Sequence, residues 1–326
     1  MQKQIISCDW GTTSFRLKLI ETQTGECVAR FRSDKGNAVL YKEWKAEEGA
    51  DRLHFYLEYL KSALEQLSPQ IATGTPILIS GMASSSVGMK ELPYASLPFS
   101  LDGASAQTEW ISGNEVISNP ILLISGAQQS DDVMRGEETQ LIGIASLIEP
   151  VKHSEQVFIL PGTHSKHITV QHGAMQRFQT FMTGETFEVM MKHSILAHAV
   201  EEPEEIRMGE EEEKYFRMGV QKALDTELLN GLFSVRIKQL KKHLTPHQNY
   251  FYFSGLLIGT ELKHISKDAD RQLVLCSSGI LQRLYELAIT EAGLMNHTII
   301  VPDEILDNAA TAGQIKIFEK VMSNQN

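Results

Sequence analysis

The chain has few cysteines, little positive charge and no long apolar run. Its 326 residues include three scattered cysteines, an odd number that argues against a disulfide framework or a cysteine metal site and favours a reducing cytoplasm. No window approaches the roughly 18 apolar residues of a transmembrane helix, so we expect no membrane association. The opening residues Met1–Gln4 lack the charged region and apolar stretch of a secretory signal, and we expect none.

Lysine and arginine together number 30 against 41 acidic residues, which leaves a net charge of −11. Because nucleic-acid binding depends on a basic surface, this balance disfavours nucleic acid as a partner. Any anionic substrate must be held by local basic groups or a metal ion. The 42% hydrophobic content is typical of a folded chain, and the length favours two domains.

The first 20 residues contain a pattern suited to binding an anion. Ile5–Asp9 and Phe15–Ile20 read as strands, and Gly11, Thr12 and Thr13 lie in the corner between them. The backbone N–H groups and two hydroxyls of that corner can converge on one phosphate. Asp9 alone would repel a phosphate, so its position makes sense if a divalent cation lies between them. A plain hairpin turn is the alternative interpretation.

The opening pattern returns in the second half of the chain. A strand over 157–160 leads to a second corner with Gly162 and Thr163, and another strand follows. Such repetition predicts two related domains, 1–150 and 151–326, whose facing corners hold the phosphates of a nucleotide. For Lys166, beyond the second corner, a phosphate contact and a solvated position both stay open.

Two other loops follow buried strands. The strand over 76–80 runs into Met82, Ala83, Ser84 and Ser85, where open α/β sheets place ligands, although a plain connection is the alternative. The strand over 272–276 runs into Ser277-Ser278-Gly279 and then a helix, an arrangement that can seat a nucleoside.

An acidic segment precedes a predicted helix near residue 141. Asp132, Glu137 and Glu138 lie there, and a helix start attracts acids through its dipole without any further function. Arg135 is less expected among them, and it can pair with an acid or hold a substrate carboxylate.

Periodicity predicts the remaining elements. A leucine stripe indicates a helix over 52–67, and further segments are interpreted as helical. These are a short helix near 107–110, and helices over 187–200, 213–229, 234–244, 280–292 and 307–321. The glutamate-rich segment 201–213 is expected at the surface, where a lid, a dimer contact and no role all stay open.

With these features in place, the chain resembles the acetate-and-sugar-kinase/Hsp70/actin superfamily. Within it, the chain is similar to the 2-dehydro-3-deoxygalactonokinase family. The resemblance rests on DWGTTSFR (9–16), ISGMASSSVGMKELPY (79–94), DVMRGEETQLIG (132–143), LPGTHSKHI (160–168), FMTGETFEVM (181–190) and SGLLIGTEL (254–262).

The resemblance implies an α/β fold of two ribonuclease-H-like domains, with mixed sheets flanked by helices, around a central cleft as in actin-like ATPases. The last helix is a candidate to pack back on the N-terminal domain. The resemblance also implies ATP as co-substrate and Mg²⁺ as cofactor. The implied reaction is phosphoryl transfer to the terminal 6-hydroxyl of 2-dehydro-3-deoxy-D-galactonate in D-galactonate catabolism. Residue physics distinguishes neither the sugar stereochemistry nor the oligomeric state, and a homodimer is compatible with the sequence.

The resemblance also implies residue roles. Asp9 would hold the metal, and the base would be a carboxylate before the second corner, with a narrow preference for Asp132 over Glu137 and Glu138. The other expected contacts are Gly11, Thr12, Thr13, Gly162 and Thr163 for the phosphates, Ser278 and Gly279 for adenosine, and Arg16, Met82, Ala83, Ser84, Ser85 and Arg135 for the sugar acid.

Two alternatives remain for the whole chain. A related kinase could act on another sugar or a short carboxylic acid. An actin-like or Hsp70-like ATP-driven binding protein is a different class, and no segment with the character of a peptide-binding module follows the second domain.

Overall fold

The computed structural model describes residues 3–67, 71–72, 74–148, 155–265 and 271–324. The chain divides into two compact units. The first unit comprises Met1–Pro150, Gly173–Arg177 and Glu304–Asn326, and the second comprises Val151–His172 and Phe178–Asp303.

Runs of strands and runs of helices follow one another along the described chain, and single strands and helices alternate only near its end. The strands are β1 (Gln4–Trp10), β2 (Phe15–Glu21), β3 (Cys27–Ser33), β4 (Ile77–Gly81), β5 (Ala95–Ser96), β6 (Phe99–Ser100), β7 (Thr108–Ile111), β8 (Ile121–Ile124), β9 (Ala127–Gln128), β10 (Val133–Met134), β11 (Glu155–Leu160), β12 (Ser165–Gln171), β13 (Ala174–Phe181), β14 (Arg271–Leu275) and β15 (Thr298–Ile300). The helices are α1 (Asn37–Ala46), α2 (Arg52–Leu67), α3 (Glu137–Leu147), α4 (Thr183–His193), α5 (Glu210–Asp225), α6 (Leu228–Leu240), α7 (Pro246–Leu262), α8 (Gly279–Glu291) and α9 (Asp303–Ser323).

The sheet of the first unit has the order β3-β2-β1-β4-β8-β7. β1 is antiparallel to β2 and parallel to β4, which is in turn parallel to β8. One face of this sheet packs on the predicted leucine stripe of α2, whose Leu57, Leu60 and Leu64 are buried. The other face packs against Ile315 and Phe318 of α9. This sheet is therefore covered by helices on both faces.

The second unit repeats the strand order of the first. Its strands run β15-β14-β11-β12-β13, with β11 antiparallel to β12 and parallel to β14, as β1 is to β2 and β4. The start of β13 belongs to the first unit, where Met175 pairs with Phe99 of β6. The predicted fold class, an α/β chain with mixed sheets flanked by helices in a ribonuclease-H-like arrangement, is confirmed.

Some local predictions were wrong. The short helix expected near 107–110 is the strand β7, because its Trp110 and Ile111 pair with β8. The helix expected over 187–200 begins earlier, at Thr183, and ends at His193, before a short 3-10 turn. Pairing and packing with distant residues override local propensity at both places.

α3 and α9 cross in close backbone contact. A Cβ on Gly143 would lie 1.8 Å from the carbonyl oxygen of Ala309, and one on Gly313 would lie 1.9 Å from that of Thr139. Only glycine permits this approach, so the crossing fixes where α3 begins relative to the sheet. Within the described residues, none of the helices is long and apolar enough to span a bilayer.

Candidate active site

The first corner, residues 11–14, joins β1 to β2. The Gly11 amide donates to the Ser14 carbonyl oxygen at 2.9 Å, so it closes the turn rather than facing a ligand. Thr12 and Thr13 are exposed, and in the described part of the chain their amides and hydroxyls have no protein hydrogen-bond partner. Adjacent free N–H groups of this kind can bind an anion. Thr12 and Thr13 therefore fit the predicted phosphate contact, while Gly11 shapes the corner.

The first corner is braced by residues that the sequence did not single out. The Asn37 side-chain amide donates to the carbonyl oxygens of Trp10 at 2.9 Å and Gly11 at 3.1 Å. The backbone amides of Asn37 and Ala38 donate to Gly11 and Thr12, each at 3.0 Å. The only sequence signal was a Gly-Asn pair between a strand and a helix.

Asp9 ends β1 beside this corner. Its Oδ2 atom accepts from Arg16 at 3.3 Å, and its side chain is 20% exposed against 51% for Arg16. Burial raises the pKa of Asp9, the Arg16 guanidinium lowers it, and the Glu137 carboxylate raises it again. A second carboxylate thus acts on Asp9 through space. A cation at this position would relieve both the burial cost and the repulsion.

Glu137 reaches this region because of a sharp turn at Gly136, whose φ is +111°. A Cβ there would lie 3.2 Å from the Cα of Gly81, the residue paired with Trp10 of β1. The half-buried Glu137 carboxylate accepts from the Arg135 amide at 3.1 Å. Glu137, at the start of α3, thus lies next to the first corner.

Glu138 is held inside the protein. It is 1% exposed and accepts from the Gly136 amide at 2.7 Å and the Thr139 hydroxyl at 2.9 Å. Burial raises its pKa to about 7, with Glu137 as the next contribution. The expectation that Glu138 acts as the base needs correcting, because a carboxylate this enclosed cannot contact a substrate hydroxyl without rearrangement.

Asp132 lies in the turn between β9 and β10. Its carbonyl accepts from the Gln129 amide at 3.0 Å, and its Oδ1 atom accepts from the Val133 amide at 2.8 Å. Of the three candidate bases, Glu137 is the one whose charge acts on Asp9. Gly136, just before Glu137, also packs on Gly81 beside β1, so Glu137 is the candidate next to the first corner, whereas the narrow preference from the sequence was for Asp132.

Arg135 is buried rather than open to a ligand. Its NH1 group donates to the Ser84 carbonyl and hydroxyl, the latter at 2.7 Å, and NH2 donates to the Leu92 carbonyl at 3.3 Å. The guanidinium lies 4.0 Å from the centre of the Tyr94 ring. Arg135 thus fixes the loop after β4. We therefore assign it a positioning role in place of the expected direct contact with a substrate carboxylate.

The loop after β4 presents little side chain to solvent. Ala83, Ser84 and Ser85 are buried, whereas Met82 is partly exposed. Of the four loop residues expected to contact the substrate, Met82 is therefore the one whose side chain is accessible, while the expected contact Arg16 lies on β2 and is exposed.

The second corner, residues 161–165, joins β11 to β12. The Gly162 amide donates to the Ser165 hydroxyl at 3.3 Å, and a Cβ on Gly162 would meet nothing within 4 Å. Thr163 and His164 are exposed. The Thr163 carbonyl accepts from the Glu185 amide at 3.1 Å, which fixes α4 beside the corner. As in the first unit, a threonine amide and hydroxyl are presented next to open space.

Lys166 is 4% exposed, and its ammonium group donates to the His164 carbonyl at 3.4 Å. The solvated position considered for it is wrong.

A buried carboxylate lies beneath the second corner. Glu261 of α7 is 3% exposed and accepts from the Tyr285 hydroxyl at 2.8 Å and, at its other oxygen, contacts His167 Nε2 at 2.9 Å. The Thr183 hydroxyl also donates to Glu261. Tyr285 in turn contacts the Ser165 hydroxyl at 3.1 Å. One side chain thus connects the corner to α4 and α8, and the sequence showed no sign of it beyond a glutamate in an apolar helix.

The predicted adenosine loop lies between β14 and α8. Gly279 has a φ of +60°, a conformation that favours glycine, and a Cβ there would meet nothing within 4 Å. Ser278 and Gly279 are both exposed. The loop is therefore open enough for a flat ligand to approach its backbone.

Comparison with known proteins points to one enzyme class. The family model of 2-keto-3-deoxy-galactonokinase matches residues 9–317. A Rhizobium meliloti (strain 1021) protein named as a probable 2-dehydro-3-deoxygalactonokinase, DgoK1, is 33% identical over 294 residues, which cover 88% of this chain and 89% of that protein. The Escherichia coli (strain K12) 2-dehydro-3-deoxygalactonokinase is 29% identical over 273 residues, 80% of each chain. A crystal structure from Sinorhizobium meliloti with the same enzyme designation superposes with a TM-score of 0.79 at 31% identity, covering 97% of this chain and 99% of that one.

Proposed function

The chain belongs to the 2-keto-3-deoxy-galactonokinase family, and on that premise we propose how its residues carry out the kinase reaction. The match over residues 9–317 confirms the resemblance seen in the sequence. The reaction transfers the terminal phosphoryl group of ATP to the 6-hydroxyl of 2-dehydro-3-deoxy-D-galactonate, a step in D-galactonate catabolism. The observation that carries the assignment of residues is the repeated strand–corner–strand arrangement with exposed threonines in both units.

Each corner is a candidate element for binding the nucleotide phosphates. The unpartnered amides and hydroxyls of Thr12 and Thr13 support this role in the first unit, and Thr163 beside the open side of Gly162 supports it in the second. The adenosine lies against Ser278 and Gly279, where the backbone is open. Catalysis of phosphoryl transfer is mostly positioning and charge stabilisation, which is what these groups offer.

Asp9 holds Mg²⁺. The described residues contain no group of three or more histidine, cysteine or acidic side chains that could bind a metal ion. Mg²⁺ commonly takes one or two carboxylates together with water and substrate phosphates, so Asp9 would suffice as the protein ligand. The raised pKa of Asp9 and the nearby Glu137 charge mark a place where a cation is favoured. When bound, the ion supplies positive charge that stabilises the transferring phosphoryl group.

Glu137 acts as the general base. It accepts the proton of the attacking 6-hydroxyl while the Arg135 amide keeps its carboxylate in place. Arg16 attracts the carboxylate of the sugar acid. Arg135 donates to Ser84 and Leu92 and thereby orients the loop that contains Met82. Each role rests on the position of the side chain relative to the first corner.

The cysteines and the net charge bear on the location and partners of the protein. The three cysteines are free thiols, which fits a reducing cytoplasm. The net charge of −11 is unsuited to binding nucleic acid. A homodimer stays a prediction, and size-exclusion chromatography with light scattering tests it.

A coupled ADP-release assay over a panel of 2-keto-3-deoxy sugar acids tests the reaction. We expect the fastest release with the galactonate-derived acid and slower release with its gluconate-derived epimer. No sugar-acid-dependent release from any member of the panel would contradict the proposal, while a different best substrate would change only the acceptor.

A further inference from the structure

The outer strands of the first unit's sheet bring like charges together. Arg16 on β2 lies directly opposite Arg32 on β3, and Lys18 lies directly opposite Arg30. Alternate residues of a strand share a face, so these four side chains, here called the basic ladder, lie on one face of the sheet. Like charges directly opposite each other destabilise a sheet. Two such pairs in a chain of net charge −11 therefore call for a reason.

Two members of the basic ladder have partners within the protein. Arg16 pairs with Asp9 at 3.3 Å, and Lys18 donates to the Asp307 carbonyl at 2.5 Å and to Asn308 at 3.2 Å. Arg30 and Arg32 are exposed, and over the ranges that the structure describes neither has an ion pair or a hydrogen bond from its side chain. Arg30 and Arg32 thus carry positive charge that no ion pair within the described residues cancels.

The charges act on one another. Burial lowers the pKa of Lys18, Cys27 and Asp307 raise it, and the charges of Arg30 and Arg32 lower it again. The uncancelled charge thus adds to the repulsion within the ladder. An anion over this face would remove that repulsion.

The basic ladder leads to the first corner. Asp9 on β1, Arg16 on β2 and Arg32 on β3 form one row across the sheet, at the end where the corner lies. β3 is the outermost strand of this sheet, so the row runs from the solvent-facing edge to the phosphate-binding threonines. The positive charges of Arg30 and Arg32 at the outer end of the ladder raise the local concentration of anions and their rate of entry.

We propose that the basic ladder is an anion-capture surface that draws the polyphosphate of the nucleotide to the first corner. The identity of the natural anion rests on the proposed function. Phosphate and carboxylate oxygens share the chemistry that the arginines recognise. Polyphosphate is the favoured source because it carries several charges, whereas a sugar acid carries one.

Titration calorimetry with inorganic tripolyphosphate, without divalent metal, tests the ladder apart from turnover. The Arg30→Gln/Arg32→Gln variant is expected to bind tripolyphosphate about 10-fold more weakly than the wild type at low salt, since each exposed charge contributes modestly. The two affinities should converge at high salt, where exposed charges are screened. The thermal midpoint of the variant should not fall, because the repulsive pairs are gone.

The matched control is Lys222→Gln/Lys241→Gln, which removes the same charge from α5 and the end of α6 in the second unit. It is expected to retain wild-type affinity for tripolyphosphate. An equal loss in the control, or no loss in the ladder variant, overturns the proposal.

Titration with the sugar acid shows which anion the ladder attracts. If the ladder variant binds the sugar acid more weakly but binds tripolyphosphate as the wild type does, the assignment to polyphosphate is overturned. A protein that binds tripolyphosphate through the ladder yet phosphorylates no sugar acid refutes the proposed function and leaves the ladder in place.

Discussion

In the first unit, residues 11–14 join two antiparallel strands, and in the second unit residues 161–165 make the equivalent connection. Both connections place a glycine and an exposed threonine at the same end of the same strand order. The residue two positions before the glycine differs, being Asp9 in the first corner and Leu160 in the second. The repeated fold therefore carries an aspartate two residues before the glycine in only one of its two corners.

The supports of the two corners differ as well. Backbone groups and the Asn37 amide brace the first corner, whereas the buried Glu261 carboxylate braces the second through Tyr285 and Ser165. The acids that can act on a metal and a hydroxyl, Asp9 and Glu137, both lie in the first unit. Under the function proposed above, the first corner carries the acids of the reaction and the second corner contacts the nucleotide.

The largest effect is expected from the proposed base. Glu137→Gln should lower kcat by about 10²- to 10⁴-fold, the range typical of general base catalysis, with little change in either KM. Asp132→Asn is the matched control and should stay close to the wild type. Steady-state kinetics decides, and a larger loss in Asp132→Asn would return the role to that residue.

Glu138 provides a pH-dependent test of the acidic cluster in the first unit. Burial raises its pKa from an ordinary 4.5 to about 7, so between these values the folded chain binds more protons than the unfolded chain. Its contribution to the free energy of unfolding is therefore present below pH 4.5 and lost as pH rises toward 7, by about 3 kcal/mol.

Urea unfolding of Glu138→Gln across this pH window measures the difference directly. The variant should lose part of the wild-type decline in stability with rising pH. Parallel curves for variant and wild type would show that Glu138 does not titrate in this range.

Glu261→Gln tests the support of the second corner. Loss of the charge weakens contacts with His167, Thr183 and Tyr285, so the free energy of unfolding should fall by about 1–3 kcal/mol. If the second corner only holds the nucleotide, KM for ATP should rise more than KM for the sugar acid. Glu286→Gln, on the surface of α8, is the control. An equal rise in both KM values would argue that Glu261 supports more than nucleotide binding.

The smallest effect is expected at Asn37. Asn37→Ala removes two hydrogen bonds to the first corner and should destabilise the protein by about 1–2 kcal/mol while raising KM for ATP a few-fold. Asn119→Ala removes a side-chain bond to the Thr75 carbonyl elsewhere in the same unit. Asn119→Ala should lower stability without changing KM for ATP. If it raises KM for ATP as much as Asn37→Ala does, the effect at Asn37 is not local to the first corner.

Much of the fold could be predicted from local pattern. The apolar strands, the two corners and the leucine stripe of α2 follow from period, turn chemistry and β-branched content. The strand β7 could not, since its pairing with β8 rather than its own composition decides its conformation. The candidate site divides in the same way: Asp9 and the threonines were identified, while Asn37 and Glu261 were missed.

The sequence by itself determined the family, the repeated corner and the kinds of residue available for phosphate, metal and base. Only the tertiary structure placed Glu137 beside β1, enclosed Glu138 and turned Arg135 inward. The physical reason is that burial and charge coupling depend on residues far apart in the chain. Glu261 and His167, for example, are 94 positions apart and yet share a buried contact of 2.9 Å. No local pattern encodes such a pair until packing brings its members together.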